Sequence, residues 1–157
     1  MKFSWKYPPA LQERLMNIHH DEIIQDNIPV TASTMRGLVI KELLALLNHT
    51  NIENTLDDQR YPQLASSAIN YGIPRKLAYD SQHDWQSVGR EIHKAILRFE
   101  PRIIPETLVV RVLNAHDPVK YAVVFFELSA LIYWFPEPID LCVKANYDVG
   151  ADKVTLE

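Results

Sequence analysis

The feature that most constrains the fold is a change of hydrophobic period at Pro101. Before that proline, apolar residues recur at helical spacing; after it they alternate. Met35, Leu38, Val39, Leu43, Leu46 and Leu47 make one stripe that runs to Asn48, with Ile40 and Leu44 beside it. Thr31 or Ser33 can cap this helix. Trp85, Val88, Ile92, Ala95, Ile96 and Phe99 share a face of a helix predicted over about 82–99. Ser81 and Asp84 resemble a weakened capping box at its start, and Arg90, Glu91, Lys94 and Arg98 lie largely off the apolar face.

Beyond Pro101 the pattern is that of strands. Leu108, Val110 and Val112 alternate with Thr107, Val109 and Arg111. Ala122, Val124, Phe126, Leu128 and Ala130 alternate with Val123, Phe125, Glu127 and Ser129, and Leu141, Val143, Ala145 and Tyr147 repeat the pattern. A last strand, Lys153 to Leu156, follows a turn at Asp148-Val149-Gly150 and is expected at an edge. Helices first and strands afterwards predict an α+β fold: N-terminal helices packed on one face of a C-terminal antiparallel sheet of three to four strands.

The remaining segments set the domain plan. Pro9 to Ile18 reads as a short helix, with Leu11, Leu15 and Ile18 on one face, followed by a mixed polar linker that ends near Pro29. Residues 1–30 are therefore expected to form an arm and 31–157 a single domain. A polar loop over 49–60 leads to a short helix predicted over 62–70, stopped by Tyr71-Gly72-Ile73-Pro74. A chain of 157 residues buries enough surface to fold without disulfides or a structural metal, and its single cysteine, Cys142, rules out an intrachain disulfide. The formal charge of -4 lacks the basic footprint of a nucleic-acid binder. With no signal peptide at the N-terminus and no apolar run long enough to insert in a membrane, a cytoplasmic protein with protein partners is expected.

Catalytic and metal chemistry find little support. His19, His20, Asp21 and Glu22 lack fixed facial geometry, and no metal site or other cofactor is expected. Cys142 falls mid-strand as a small packing residue. Glu100 with Glu106 or Glu127 makes a carboxylate pair of the kind glycosidases use, but so do many pairs among twenty acidic residues. Glu100 is unusual for another reason: a carboxylate at a helix C-terminus opposes the dipole. Pro101 fixes the chain direction and Arg102 returns a guanidinium within reach. Two readings stand: a local turn in which Glu100 pairs with Arg98 or Arg102, and a rigid two-signed fork offered to a partner.

The segments Leu11-Gln12-Glu13-Arg14-Leu15, Met35 to Asn48, Ser66-Ser67-Ala68-Ile69-Asn70-Tyr71-Gly72-Ile73-Pro74 and Phe99-Glu100-Pro101-Arg102-Ile103, in that order, resemble the TssE family. Its members are type VI secretion baseplate subunits similar to the wedge protein of contractile phage tails. The resemblance runs from about residue 11 to the end. It implies a non-catalytic structural role beside the wedge subunits TssF and TssG, near the point where the TssB/TssC sheath starts to polymerise, with TssK among further baseplate contacts. It also implies that Glu100, Pro101 and Arg102 serve sheath assembly, and that Asn70, Tyr71, Gly72 and Pro74 form a structural motif. Arg75-Lys76-Leu77 departs from the acidic residue expected after Pro74. On this reading an edge strand near 153–156 offers unpaired backbone groups for strand addition.

Two alternatives carry different tests. The related anti-adaptor IraD shares the Glu-Pro-Arg element but regulates proteolysis; neighbouring TssF and TssG genes would favour the baseplate. A muramidase would release peptidoglycan fragments and lose activity on mutation of Glu100. Trp5, Tyr7, Leu11 and Leu15 are either a docking arm for another subunit or a cap on the domain's own core. A stable Leu15→Asp variant that loses partner binding would mark the arm; global unfolding would mark the cap.

Overall fold

The computed structural model describes residues 30–57, 59–74, 85–113, 123–148 and 150–157. The expected first helix, with Trp5, Tyr7, Leu11 and Leu15, lies outside these residues, as does the Ser81–Asp84 capping box. Helix α1 covers Ala32–Leu47 and begins where Thr31, in an extended conformation, accepts a hydrogen bond from the Thr34 amide at 3.1 Å. Of the two expected caps, Thr31 is the one used. Leu38, Val39, Leu43, Leu46 and Leu47 are buried, so the stripe faces the core as its spacing dictates. Helix α2 covers Trp85–Phe99 and buries Val88, Ile92, Ala95 and Ile96. It ends with the Glu100 amide bonded to the Ile96 carbonyl at 2.9 Å; Pro101 supplies no further amide.

Strands β1 (Val109–Val112), β2 (Val123–Ile132), β3 (Ile139–Asp148) and β4 (Lys153–Leu156) form an antiparallel sheet in the order β1-β2-β3-β4. The long pair β2–β3 aligns Phe126 with Ala145 and Leu128 with Val143. Val124, Phe126, Leu128, Ala130 and Ile132 share one core with the helices, joined by Leu141, Ala145, Tyr147 and Val154. Each such large side chain contributes about 1.5–3 kcal/mol by leaving water. The alternation of period 2 puts the other set on the opposite face. Cys142, expected as a packing residue, belongs to that set and is exposed.

Two local expectations change. The helix predicted over 62–70 is instead two 3-10 turns, Leu64–Ser66 and Ala68–Asn70. Ser67 between them is extended, and its hydroxyl bonds the Leu64 carbonyl at 2.9 Å, taking an acceptor that a continuing helix would need. The β4 edge is also less open than expected. Glu157 donates to the Lys144 carbonyl at 3.0 Å, so Val154 directs its amide and carbonyl away from β3. Both groups meet Asn48, the residue after α1: the Val154 amide donates to Oδ1 at 2.9 Å and Nδ2 donates to the Val154 carbonyl at 3.0 Å. The Asn48 side chain therefore occupies the place of a neighbouring strand. Replacing it by alanine is expected to cost about 1–2 kcal/mol in urea unfolding and to speed amide exchange at Val154 most. Unchanged exchange there would show that the edge is held by other contacts.

Candidate assembly site

The Glu100-Pro101-Arg102 turn joins α2 to the sheet. The Arg102 carbonyl accepts from the Tyr133 amide and the Ile104 amide donates to Leu131, each at 2.8 Å, while Ile103 bridges Ile132. The turn thus sits on the same side of β2 as β1. Glu100 is only 4% exposed. Its Oε1 accepts from the Arg102 amide at 3.1 Å and from Nε at 2.7 Å, and its Oε2 accepts from Nη2 at 2.6 Å. This is a fork-to-fork pair within one turn. The local turn foreseen in the sequence is therefore present, with Arg102 as partner, while Arg98 pairs with Glu53 at 3.0 Å.

A third member comes from 60 residues away. Glu42, on the partly exposed side of α1, also accepts from Arg102 Nη2. The Arg102 side chain is 26% exposed and that of Glu42 47%, so the carboxylate of Glu100 is enclosed while the other two groups reach solvent. Hydrogen bonding to Glu100 raises the guanidinium pKa, burial opposes it, and the charges of Glu100 and Glu42 reinforce it. Arg102 stays a cation held between two carboxylates. Nη1 takes part in none of these bonds. Glu42 was missed in the sequence because it belongs to an ordinary helix surface, with no local signal that a loop returns to it.

The second sequence motif docks beside the first. Ile73 pairs with Thr50 in a parallel bridge: its amide donates to the His49 carbonyl at 2.9 Å and its carbonyl accepts from Asn51 at 3.0 Å. Gly72 adopts a φ of 119°, and a Cβ there would lie 2.2 Å from the His49 carbonyl oxygen. Asn70 is fully buried; it accepts from the Ile52 amide at 3.2 Å and donates to the Ala65 carbonyl at 2.9 Å. Tyr71 packs edge-on to Phe99 with ring centroids 5.4 Å apart, and to His49 at 5.3 Å. Its hydroxyl points to the Glu42 carbonyl at 3.4 Å. Burial, then the charges of Glu42 and Glu100, raise its pKa, so it remains a neutral donor. Pro74 follows, half-buried. Glu42 therefore meets both motifs, one through its side chain and one through its main chain.

The arrangement favours structure over catalysis. A general acid must reach the proton it transfers, yet both oxygens of Glu100 are engaged by Arg102 inside the fold. Glu106 is exposed and Glu127 half-buried. No group of three or more histidine, cysteine or carboxylate side chains suited to a metal occurs among the described residues. No helix among them is long and apolar enough to cross a membrane.

Residues 33–137 match the model of a protein family described as baseplate wedge protein gp25. The chain belongs to that family. The match covers α1, both motifs, α2 and strands β1 and β2. No curated protein and no solved structure matches. Membership in the gp25 family supports a structural role in the baseplate of a contractile injection system, in contact with other baseplate proteins.

Proposed function

We propose that this chain is the TssE-type wedge subunit of a type VI secretion baseplate. It is held by TssF and TssG and presents its Glu-Pro-Arg turn where the TssB/TssC sheath starts to polymerise. It works in the cytoplasm, at the inner face of the envelope, with TssK as a further contact, and it catalyses no reaction. The observation that supports this most is the Glu42–Arg102–Glu100 cluster: a cation fixed in direction by buried and exposed carboxylates, with one nitrogen left over, beside the sheet. An arginine oriented in this way recognises a partner's carboxylate or carbonyl with little loss of its own freedom.

The test separates contact from folding. Arg102→Lys keeps the charge and loses the fork. In cells carrying the full secretion system, that variant, folded by circular dichroism, is expected to reduce fluorescent sheath assemblies by about tenfold, as a contact worth about 1.4 kcal/mol would. Sheath growth at the normal frequency from a folded Arg102→Lys protein would refute the assembly role of the motif. Purified protein is expected to release no fragments from peptidoglycan, measured by chromatography of the soluble products; release that disappears in Glu100→Gln would restore the enzyme reading.

A further inference from the structure

The charges of the Glu-Pro-Arg site do not cancel. Glu100 and Arg102 neutralise each other within one turn, and Glu42 brings a second carboxylate to the same guanidinium. One negative charge is left in excess, and it lies on the most exposed member of the three. Glu100 is enclosed, whereas nearly half of the Glu42 side chain reaches solvent. Only Oε2 of Glu42 meets Arg102; Oε1 takes part in none of the cluster's bonds. Lys41 precedes Glu42 on α1, but adjacent residues of a helix do not face each other, and no ion pair joins the two. Among the described residues Glu42 makes no ion pair except that with Arg102.

The neighbouring tyrosine registers the same sign. After burial, it is the charges of Glu42 and Glu100 that raise the Tyr71 pKa, so the field there is negative although Arg102 is close by. Nor is Glu42 needed to hold the arginine. Nε, Nη2 and the amide of residue 102 all donate to Glu100. An ion pair as exposed as that of Glu42 adds little to stability. A partner's carboxylate approaching Arg102 would meet Glu42 first and be repelled. A cation would instead complete an alternating row that continues through Glu42, Arg102 and Glu100.

We propose that Glu42 is the charged outer contact of this site and receives an arginine or lysine of the partner protein. Of the two acceptors that Arg102 can recognise, the carbonyl is then the one that fits, since it adds no negative charge. This inference rests on the assembly role proposed above and names the chemistry of the partner at that same site. It also extends the site beyond the tripeptide to the face of α1.

The experiment titrates the full chain, labelled with nitrogen-15, with a short peptide in which arginine alternates with serine. A second peptide carries glutamate in place of arginine. The arginine peptide is expected to shift the amide resonances of Glu42, Tyr71 and Arg102, and to bind less tightly as salt rises. The glutamate peptide should leave all three in place. Glu42→Gln keeps an acceptor for Arg102 and should weaken the arginine peptide about threefold, the scale of an exposed charge pair. Glu137→Gln removes the same charge from an exposed site elsewhere and should leave the affinity unchanged. Equal losses in the two variants would mean that net charge alone attracts the peptide, and would overturn the proposal. So would an arginine peptide that moves none of the three resonances, or a glutamate peptide that moves them more. In cells, a folded Glu42→Lys protein is expected to reduce sheath assemblies about tenfold. Normal assembly in that variant, with assembly lost in Arg102→Lys, would remove the Glu42 contact and leave the baseplate role standing. Normal assembly in both, with the arginine peptide still bound at Glu42, would refute the baseplate role and leave the cation site.

Discussion

Gly72→Ala is expected to destabilise the domain by about 3–5 kcal/mol, from backbone strain at positive φ and overpacking together. The methyl group would have to enter space already filled by the His49 carbonyl, 2.2 Å for its oxygen and 2.5 Å for its carbon, with the Asn51 amide at 3.1 Å. No rotamer relieves such a clash, because both sides are main chain. The bridge between Ile73 and Thr50 must open, and Tyr71 then loses its seat against Phe99. A fall of this size is a large share of the roughly 5–15 kcal/mol that holds a domain together. Urea unfolding measures it, and exchange at the Asn51 and Ile73 amides locates it. A variant with a near-normal midpoint would mean that the 49–51 and 71–73 segments separate at little cost.

Arg102→Ala has the next largest expected effect, about 3 kcal/mol, because it leaves the enclosed Glu100 carboxylate without its counterion. Only the backbone amide of residue 102 would still donate to it. Glu100→Gln should cost less, since Arg102 reaches solvent and keeps Glu42. The double variant Glu100→Gln/Arg102→Ala should cost less than the sum of the two, as partners in one hydrogen-bonded pair do. Denaturant midpoints of the three proteins decide the matter. Additive losses, or Glu100→Gln as the worst of the set, would mean that the fork is not the brace that its geometry describes.

Much of the architecture is legible in the sequence. Alternation along 123–132 and 139–148 reflects a sheet with one covered face, and the stripes of α1 and α2 follow the same cause at a different period. The bounds of β4 also agree with expectation, Lys153–Leu156. The segment over 62–70 was harder, because a single Ser67 hydroxyl competes for a backbone acceptor and propensity alone does not weigh that. The Glu-Pro-Arg turn was visible as an oddity, and its pairing within reach of Arg102 was one of two options. Its enclosure was not visible, nor was Glu42, since both depend on a contact across 60 residues. Asn48 illustrates the same limit. As a helix-end asparagine it looks local, yet its partner is Val154 on the β4 edge, 106 residues further along the chain.

The span of the Arg102 cluster bears on when the protein becomes competent. Its members come from Glu42, the turn itself and the backbone of Tyr133, so the tripeptide is read out long before its surroundings exist. Contacts of such sequence separation form late, after the loops between them close. A chain still emerging from the ribosome, or cut before residue 133, carries the same three letters without the shape that gives them meaning. Folding is then the precondition for the cluster: only a chain folded through Tyr133 holds the arginine in its set direction.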